Sequence, residues 1–277
     1  MKDFSQIKKN LKKDFTGLKC LKMAVLGDSA TQFLTQALRG LGYDCQIDFE
    51  IFEADFNQVD RQILDPNSEL YAFQPEWVLI FQSSHKLLSK YNKANPEQQA
   101  QLATCELEKI QNYQALLHTK LNAKVLYYNY TEINDGVFGN FANKVSSSFV
   151  YQLRKLNFEL MEFAAQAPNF YLLDLSSVQN QIGKEQFFKP SIYVNSDMVL
   201  SMDAVVWAAS LCVDVVSSSL GKFKKCLVLD LDNTTWGGII GDDGIENIQI
   251  GQLGIGKAFT EFQYWVKKLQ NRGIILA

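Results

Sequence analysis

Residues 229–238, Leu229-Asp230-Leu231-Asp232-Asn233-Thr234-Thr235-Trp236-Gly237-Gly238, hold the densest set of chemically competent side chains in the sequence. Two aspartates one residue apart project to the same side of an extended backbone, so Asp230 and Asp232 can converge on one ligand. Paired carboxylates of this kind suit a hard divalent cation. Magnesium takes one or two protein carboxylates and fills its shell with water and phosphate oxygens. The chemistry this points to is phosphoryl transfer, the cation offsetting the repulsion between an attacking carboxylate and a phosphate. Taken alone, D-x-D also reads as an Asx-rich turn that caps a strand. The apolar run Cys226-Leu227-Val228-Leu229 before it is expected to be a buried strand, which sets the aspartates at a strand end, where open α/β sheets bind ligands.

A second set of candidates lies upstream. Asp28 and Ser29 follow an apolar segment at 23–26, His85 follows one at 77–81, and Asn129 follows one at 124–128, so all four are expected at the carboxyl edge of one sheet. A serine nucleophile needs a base, and the chain has only two histidines, His85 and His118. Multi-histidine metal sites are thereby excluded. Both histidines also read as ordinary surface or helix-start residues.

The elements that would carry these residues alternate in type. Short apolar strands at 23–26, 46–52, 77–81, 124–128 and 170–173 are separated by helical patterns, which demands crossover helices over a parallel sheet and makes the class α/β. The helices are expected at 4–15 (basic and amphipathic), at 31–41 with Gly42 as its stop, from Pro96 as one long helix, at 146–165 and at 201–216. The polar run Ser217-Ser218-Ser219-Leu220-Gly221 reads as a break. The expected division is a basic helix at 1–20, an α/β domain at 21–219, and at 220–277 the first part of a second domain. There a helix starts near Gly256, stops at Gly273, and is followed by a strand that ends with the chain at Ala277. An incomplete carboxyl end is expected on that pattern.

The 277 residues are 47% hydrophobic and 21% charged, with a formal net charge of -3. That balance argues against a general nucleic-acid or membrane-surface binder. Cys20, Cys45, Cys105, Cys212 and Cys226 are scattered, with no C-x-x-C pair, as expected of a reduced, cytoplasmic setting. No signal peptide or membrane span is expected. Cys226 is expected to be a core residue, and Tyr127, Tyr128, Phe187 and Phe188 to be core or interface anchors.

The strand with Asp230-x-Asp232-x-Thr234 resembles the first motif of the haloacid dehalogenase (HAD) superfamily. The extension through Trp236-Gly237-Gly238, Gly241-Asp242-Asp243-Gly244 and Gly254-Ile255-Gly256-Lys257 is similar to its FkbH-like branch, subfamily IIIC. The resemblance covers nearly the whole chain. It implies a Rossmann-like catalytic domain, a Mg2+ cofactor held by Asp230 and Asp232, Asp230 as nucleophile through an aspartyl-phosphate, and Asp232 as acid and base. Asn233, Thr234, Gly237 and Gly238 would form and orient the phosphate loop. Thr235 stands where the family more often has leucine, a change of packing. The family's later phosphate, lysine and acidic motifs would lie beyond Ala277, so this chain alone is expected to be inactive. The resemblance further implies a phosphorylated small-molecule substrate and, as acceptor of a dephosphorylated glyceryl unit, an acyl carrier protein. Gly27-Asp28-Ser29 resembles the first block of SGNH hydrolases, implying an SGNH- or flavodoxin-like amino-terminal domain. The histidine such enzymes carry late in the chain is missing from residues 193–200, which argues against an esterase acting through Ser29 and leaves a non-catalytic binding module for an acyl group or carrier protein as the competing reading.

Overall fold

The computed structural model describes residues 2–277. It divides into two compact units, the first ending at Ser217 and the second running from Ser218 to Ala277.

In the first unit five parallel strands, β1 (Lys19–Gly27), β2 (Ile47–Glu53), β3 (Trp77–Phe81), β4 (Lys124–Tyr128) and β5 (Phe170–Leu173), lie in the order β2-β1-β3-β4-β5. The side-chain period of two splits each strand between two cores. Met23 and Val25 of β1, Leu79 of β3 and Tyr128 of β4 face the helices Gln32–Asp44 and Met202–Ser219. Ala24, Leu26, Val78, Ile80 and Tyr127 face the helices Leu102–Leu121 and Phe149–Gln166. Helices on both faces explain why these strands are continuous apolar runs rather than alternating ones. Tyr127, Tyr128 and Phe187 are core residues. The order reverses beside β1, so the carboxyl ends of β1 and β3 border the crevice where such sheets take ligands.

Several boundaries differ from the sequence expectation. The amino-terminal helix is Phe4–Asn10, not 4–15: Asn10 is drawn into tertiary bonds, its Nδ2 donating to the Gly40 carbonyl (2.8 Å) and Asp44 Oδ1 (3.0 Å), and an Asx turn at Asp14 follows. Gly42 does not stop its helix, which runs to Asp44. A Cβ there would lie 2.6 Å from the Phe49 ring, so this glycine serves close helix-strand packing. The long helix after Asn95 is two, Pro96–Ala100 and Leu102–Leu121, separated at Gln101. The serine run is helical as far as Ser219, where the helix that begins at Met202 ends, and the division between the two units falls within it.

The second unit pairs β6 (Cys226–Leu227) with β7 (Ile275–Leu276) in parallel and adds the helices Ile240–Asp243 and Gly254–Asn271. The expected buried strand 226–229 is corrected: Cys226 and Val228 are exposed, since one two-residue ladder covers neither face of the segment. Cys226 is therefore not a core residue. Among the described residues only Thr235, Gly237, Gly256 and Val266 of this unit are buried.

Candidate functional site

In the second unit the Leu229 amide donates to the Ala277 carbonyl (2.8 Å), and Asp230 follows at once, exposed, with its Oδ1 accepting the Leu231 amide (2.8 Å). The chain then turns. Asn233 takes a left-handed backbone (φ 54°), a conformation asparagine tolerates well. Its amide donates to the Gly238 carbonyl (3.2 Å), and its Oδ1 accepts from the Gly238 amide (2.8 Å), closing residues 233–238 as a clamp.

Thr235 is the peg inside that clamp. Its hydroxyl and its amide both donate to the Leu231 carbonyl (2.8 Å each), and its own carbonyl accepts from Gln263 Nε2 (2.6 Å). Thr234 contributes its amide to the same Leu231 carbonyl (3.3 Å). Gly237 exchanges both backbone bonds with Gln249 and sits where a Cβ would meet the Phe259 ring at 2.8 Å. Gly238 has φ 96°, and a Cβ on it would lie 2.8 Å from Asp243 Oδ2, which accepts from the Ile239 amide.

Asp232 is fixed by donors that sequence reasoning passed over. Its Oδ1 accepts from the Trp236 indole N–H (3.0 Å) and the Ile240 amide (3.2 Å). The i to i+4 spacing of Asp232 and Trp236 was the available signal. The two aspartates lie beyond the paired strand residues, and the turn, rather than an extended strand, sets their directions. No group of three or more metal-binding side chains occurs among the described residues. One or two aspartates match the share that magnesium takes from a protein when phosphate and water supply the rest.

The upstream candidates are brought to one sheet edge but not into one constellation. Asp28 is 9% exposed; its Oδ2 accepts from the Ser83 amide (2.7 Å) and its Oδ1 has no partner. Burial pushes its carboxyl up to about 7, against the opposing pull of the Ser83 bond. Ser29 is fully buried with an unpartnered hydroxyl. His85 stacks on Phe188 (centroids 4.1 Å apart) and leans on Tyr193, its Nδ1 buried without a partner, and burial lowers its pKa to about 4. Because neither Ser29 Oγ nor His85 Nδ1 has a partner, they form no nucleophile-base bond. The Asn129 amide donates to Asp174 Oδ1 (2.7 Å) and accepts from the Ser176 amide (2.9 Å) at the start of the helix Leu175–Ile182. Asp28 lines a cavity of about 180 Å³, and Asn129 lines a separate space of about 10 Å³.

A protein-family model described as the N-terminal domain of FkbH matches residues 22–217. The crystal structure of the N-terminal part of a Bacteroides fragilis protein, containing a phosphatase domain and complexed with Mg, is 48% identical with a TM-score of 0.94; the match covers 100% of this chain and 73% of that one. A lipase/acylhydrolase from Enterococcus faecalis is 13% identical with a TM-score of 0.47, over 72% of this chain and 96% of that one. No curated protein matches the chain.

Proposed function

Because this chain belongs to the FkbH N-terminal domain family, we propose that the protein is a Mg2+-dependent, HAD-type phosphatase or phosphotransferase acting on a small phosphorylated substrate, with Asp230 as its nucleophile. The observation that carries the reading is the Asp230–Gly238 turn, in which one carboxylate stands exposed at the strand end and the second is aimed by two N–H donors. The Bacteroides fragilis relative, with its phosphatase domain and bound Mg, supports the same assignment.

In this mechanism a carboxylate oxygen of Asp230 attacks phosphorus, the new O–P bond forming as the bond to the leaving alcohol breaks. Asp232 gives that alcohol its proton. With Oδ1 held by the Trp236 indole and the Ile240 amide, Oδ2 is the oxygen placed to carry the proton. Asp232 then takes a proton from the attacking water, phosphate leaves, and Asp230 is regenerated. Bound magnesium would offset the charge of the phosphate oxygens, with Asp230 through its carboxylate and Asp232 through its backbone carbonyl as its protein ligands. Delivery of the dephosphorylated unit to an acyl carrier protein is an extension that rests on the family resemblance alone.

The test is phosphate release from p-nitrophenyl phosphate by the protein carrying the family's later phosphate, lysine and acidic motifs, with Mg2+, with excess chelator, and from its Asp230→Asn variant. Release that needs Mg2+ and falls to background in Asp230→Asn is expected. Turnover indifferent to Asp230 would strip it of the nucleophile role.

A further inference from the structure

One side of the helix Gly254–Asn271 is given over to the Asp230–Gly238 turn. Gly256, Phe259, Thr260 and Gln263 follow one another at three- and four-residue spacing, which sets them on one face, and all four are buried or half-buried. Gly256 lies against the Ile250 backbone, where a Cβ would be 2.9 Å away, and the Thr260 hydroxyl accepts from the Gly251 amide (3.1 Å). Gln249, just before these residues, exchanges both backbone bonds with Gly237, and the Phe259 ring covers that glycine. The register of helix against turn is thus set by several independent contacts. Within it Gln263 Nε2 reaches back 28 positions to the Thr235 carbonyl (2.6 Å).

Thr235 passes that hold on. Its amide and its hydroxyl both meet the Leu231 carbonyl (2.8 Å each), and Leu231 is the residue between the two aspartates. The Leu231 amide donates to Asp230 Oδ1 (2.8 Å). The peptide plane before Leu231 is therefore held by the Asp230 carboxylate and the plane after it by Thr235, and the two planes set the directions in which Asp230 and Asp232 leave the backbone. The strand bonds stop at the Leu229 amide, so the ladder holds neither plane. A leucine at 235 would supply bulk but no hydroxyl donor, so Thr235 is more than a change of packing.

We propose that Gln263 is a positioning residue for phosphoryl transfer, acting through Thr235 to hold the Leu231 peptide and with it the mutual aim of Asp230 and Asp232. The inference rests on the phosphatase reading of that turn.

The experiment uses the protein carrying the family's later phosphate, lysine and acidic motifs, and reads kcat and KM for p-nitrophenyl phosphate beside amide hydrogen exchange. Gln263→Met keeps the chain length and deletes the donor. Thr235→Val keeps the shape and deletes the hydroxyl, whereas Thr235→Ser keeps the hydroxyl. In both Gln263→Met and Thr235→Val, kcat should fall roughly threefold to tenfold, the loss of one neutral hydrogen bond, with KM little changed. Thr235→Ser should stay close to wild type, and the Thr235 amide should exchange faster in Gln263→Met. Melting curves that lie above the assay temperature establish that the variants are folded. A folded Gln263→Met with wild-type kcat, a loss confined to KM, or Thr235→Ser as impaired as Thr235→Val would overturn the proposal. Wild-type turnover indifferent to Asp230 would instead overturn the phosphatase reading, and unchanged exchange of the Thr235 amide in Gln263→Met would overturn the brace whatever the turnover.

Discussion

The two units place acidic residues at strand ends by opposite means. In the first, Asp28 is set by a five-stranded sheet with a core on each face, and its partners, Ser83 and the cavity wall, come from far along the sequence. In the second, Asp230 and Asp232 follow a two-residue ladder, and every bond that shapes their turn comes from within about ten residues, apart from the Gln249 and Gln263 contacts. Burial and chemical competence are therefore uncoupled. The better-built unit encloses Ser29 Oγ and His85 Nδ1 without hydrogen-bond partners, whereas the lightly built one presents an exposed carboxylate.

The largest effect that would break this comparison is on stability. Phe49 is fully buried in the first core beside Gly42. Phe49→Ala should cost about 3–5 kcal/mol in denaturant unfolding. Val266, the buried apolar side chain of the second unit, sits in far thinner cover, and Val266→Ala should cost about 1 kcal/mol. Equal losses from the two would mean that the second unit has a core of comparable worth and that the contrast drawn here is wrong.

The same contrast decides what could be read from the sequence. The parallel sheet was legible because 77–81 and 124–128 are apolar runs of strand length punctuated by turn residues, and β3 and β4 form there without revision. The aspartate pair was legible because a local turn leaves a local pattern. What depends on distant partners was hidden. Nothing near Gly42 says that Phe49 lies over it, and nothing near Asn129 says that Asp174 and Ser176 engage its amide. The exposure of Cys226 was equally invisible, since an apolar run reads as buried whether or not a second layer covers it. Trp236 belongs to the motif in sequence, yet its bond to Asp232 forms across a turn that contains the left-handed Asn233.

A smaller effect tests whether the enclosed groups of the first unit titrate as their burial requires. Asp28 goes from an ordinary value of 3.8 to about 7 on folding, so the folded state holds the extra proton and stability falls as pH rises between those values. His85 goes from 6.5 to about 4, so the unfolded state holds the extra proton and stability rises with pH across that window. The two slopes oppose each other between about pH 4 and 6.5. Asp28→Asn removes the falling contribution, so its Tm relative to wild type should climb as pH rises from about 4 to 7 and level off above that. His85→Phe keeps an aromatic ring against Phe188 and removes the rising contribution, so its relative Tm should fall as pH rises from about 4 to 6.5 and level off above that. Parallel profiles for both variants would show that neither group is shifted by burial.

The smallest effect is the most specific to the second unit. Trp236→Phe keeps a ring but deletes the indole donor to Asp232, leaving the Ile240 amide to hold that carboxylate alone. Loss of one hydrogen bond to a charged group costs about 1.5–3 kcal/mol when its partner is left exposed to misalignment. Because Asp232 acts only once the substrate is bound, the loss should fall on kcat, roughly tenfold or more, with KM little changed. The Thr235, Asn233 and Gly238 bonds that close the turn do not pass through Trp236, so the loop itself should survive. A kcat equal to wild type would show that the Ile240 amide suffices to aim Asp232. A rise in KM with kcat unchanged would place Trp236 against the substrate instead.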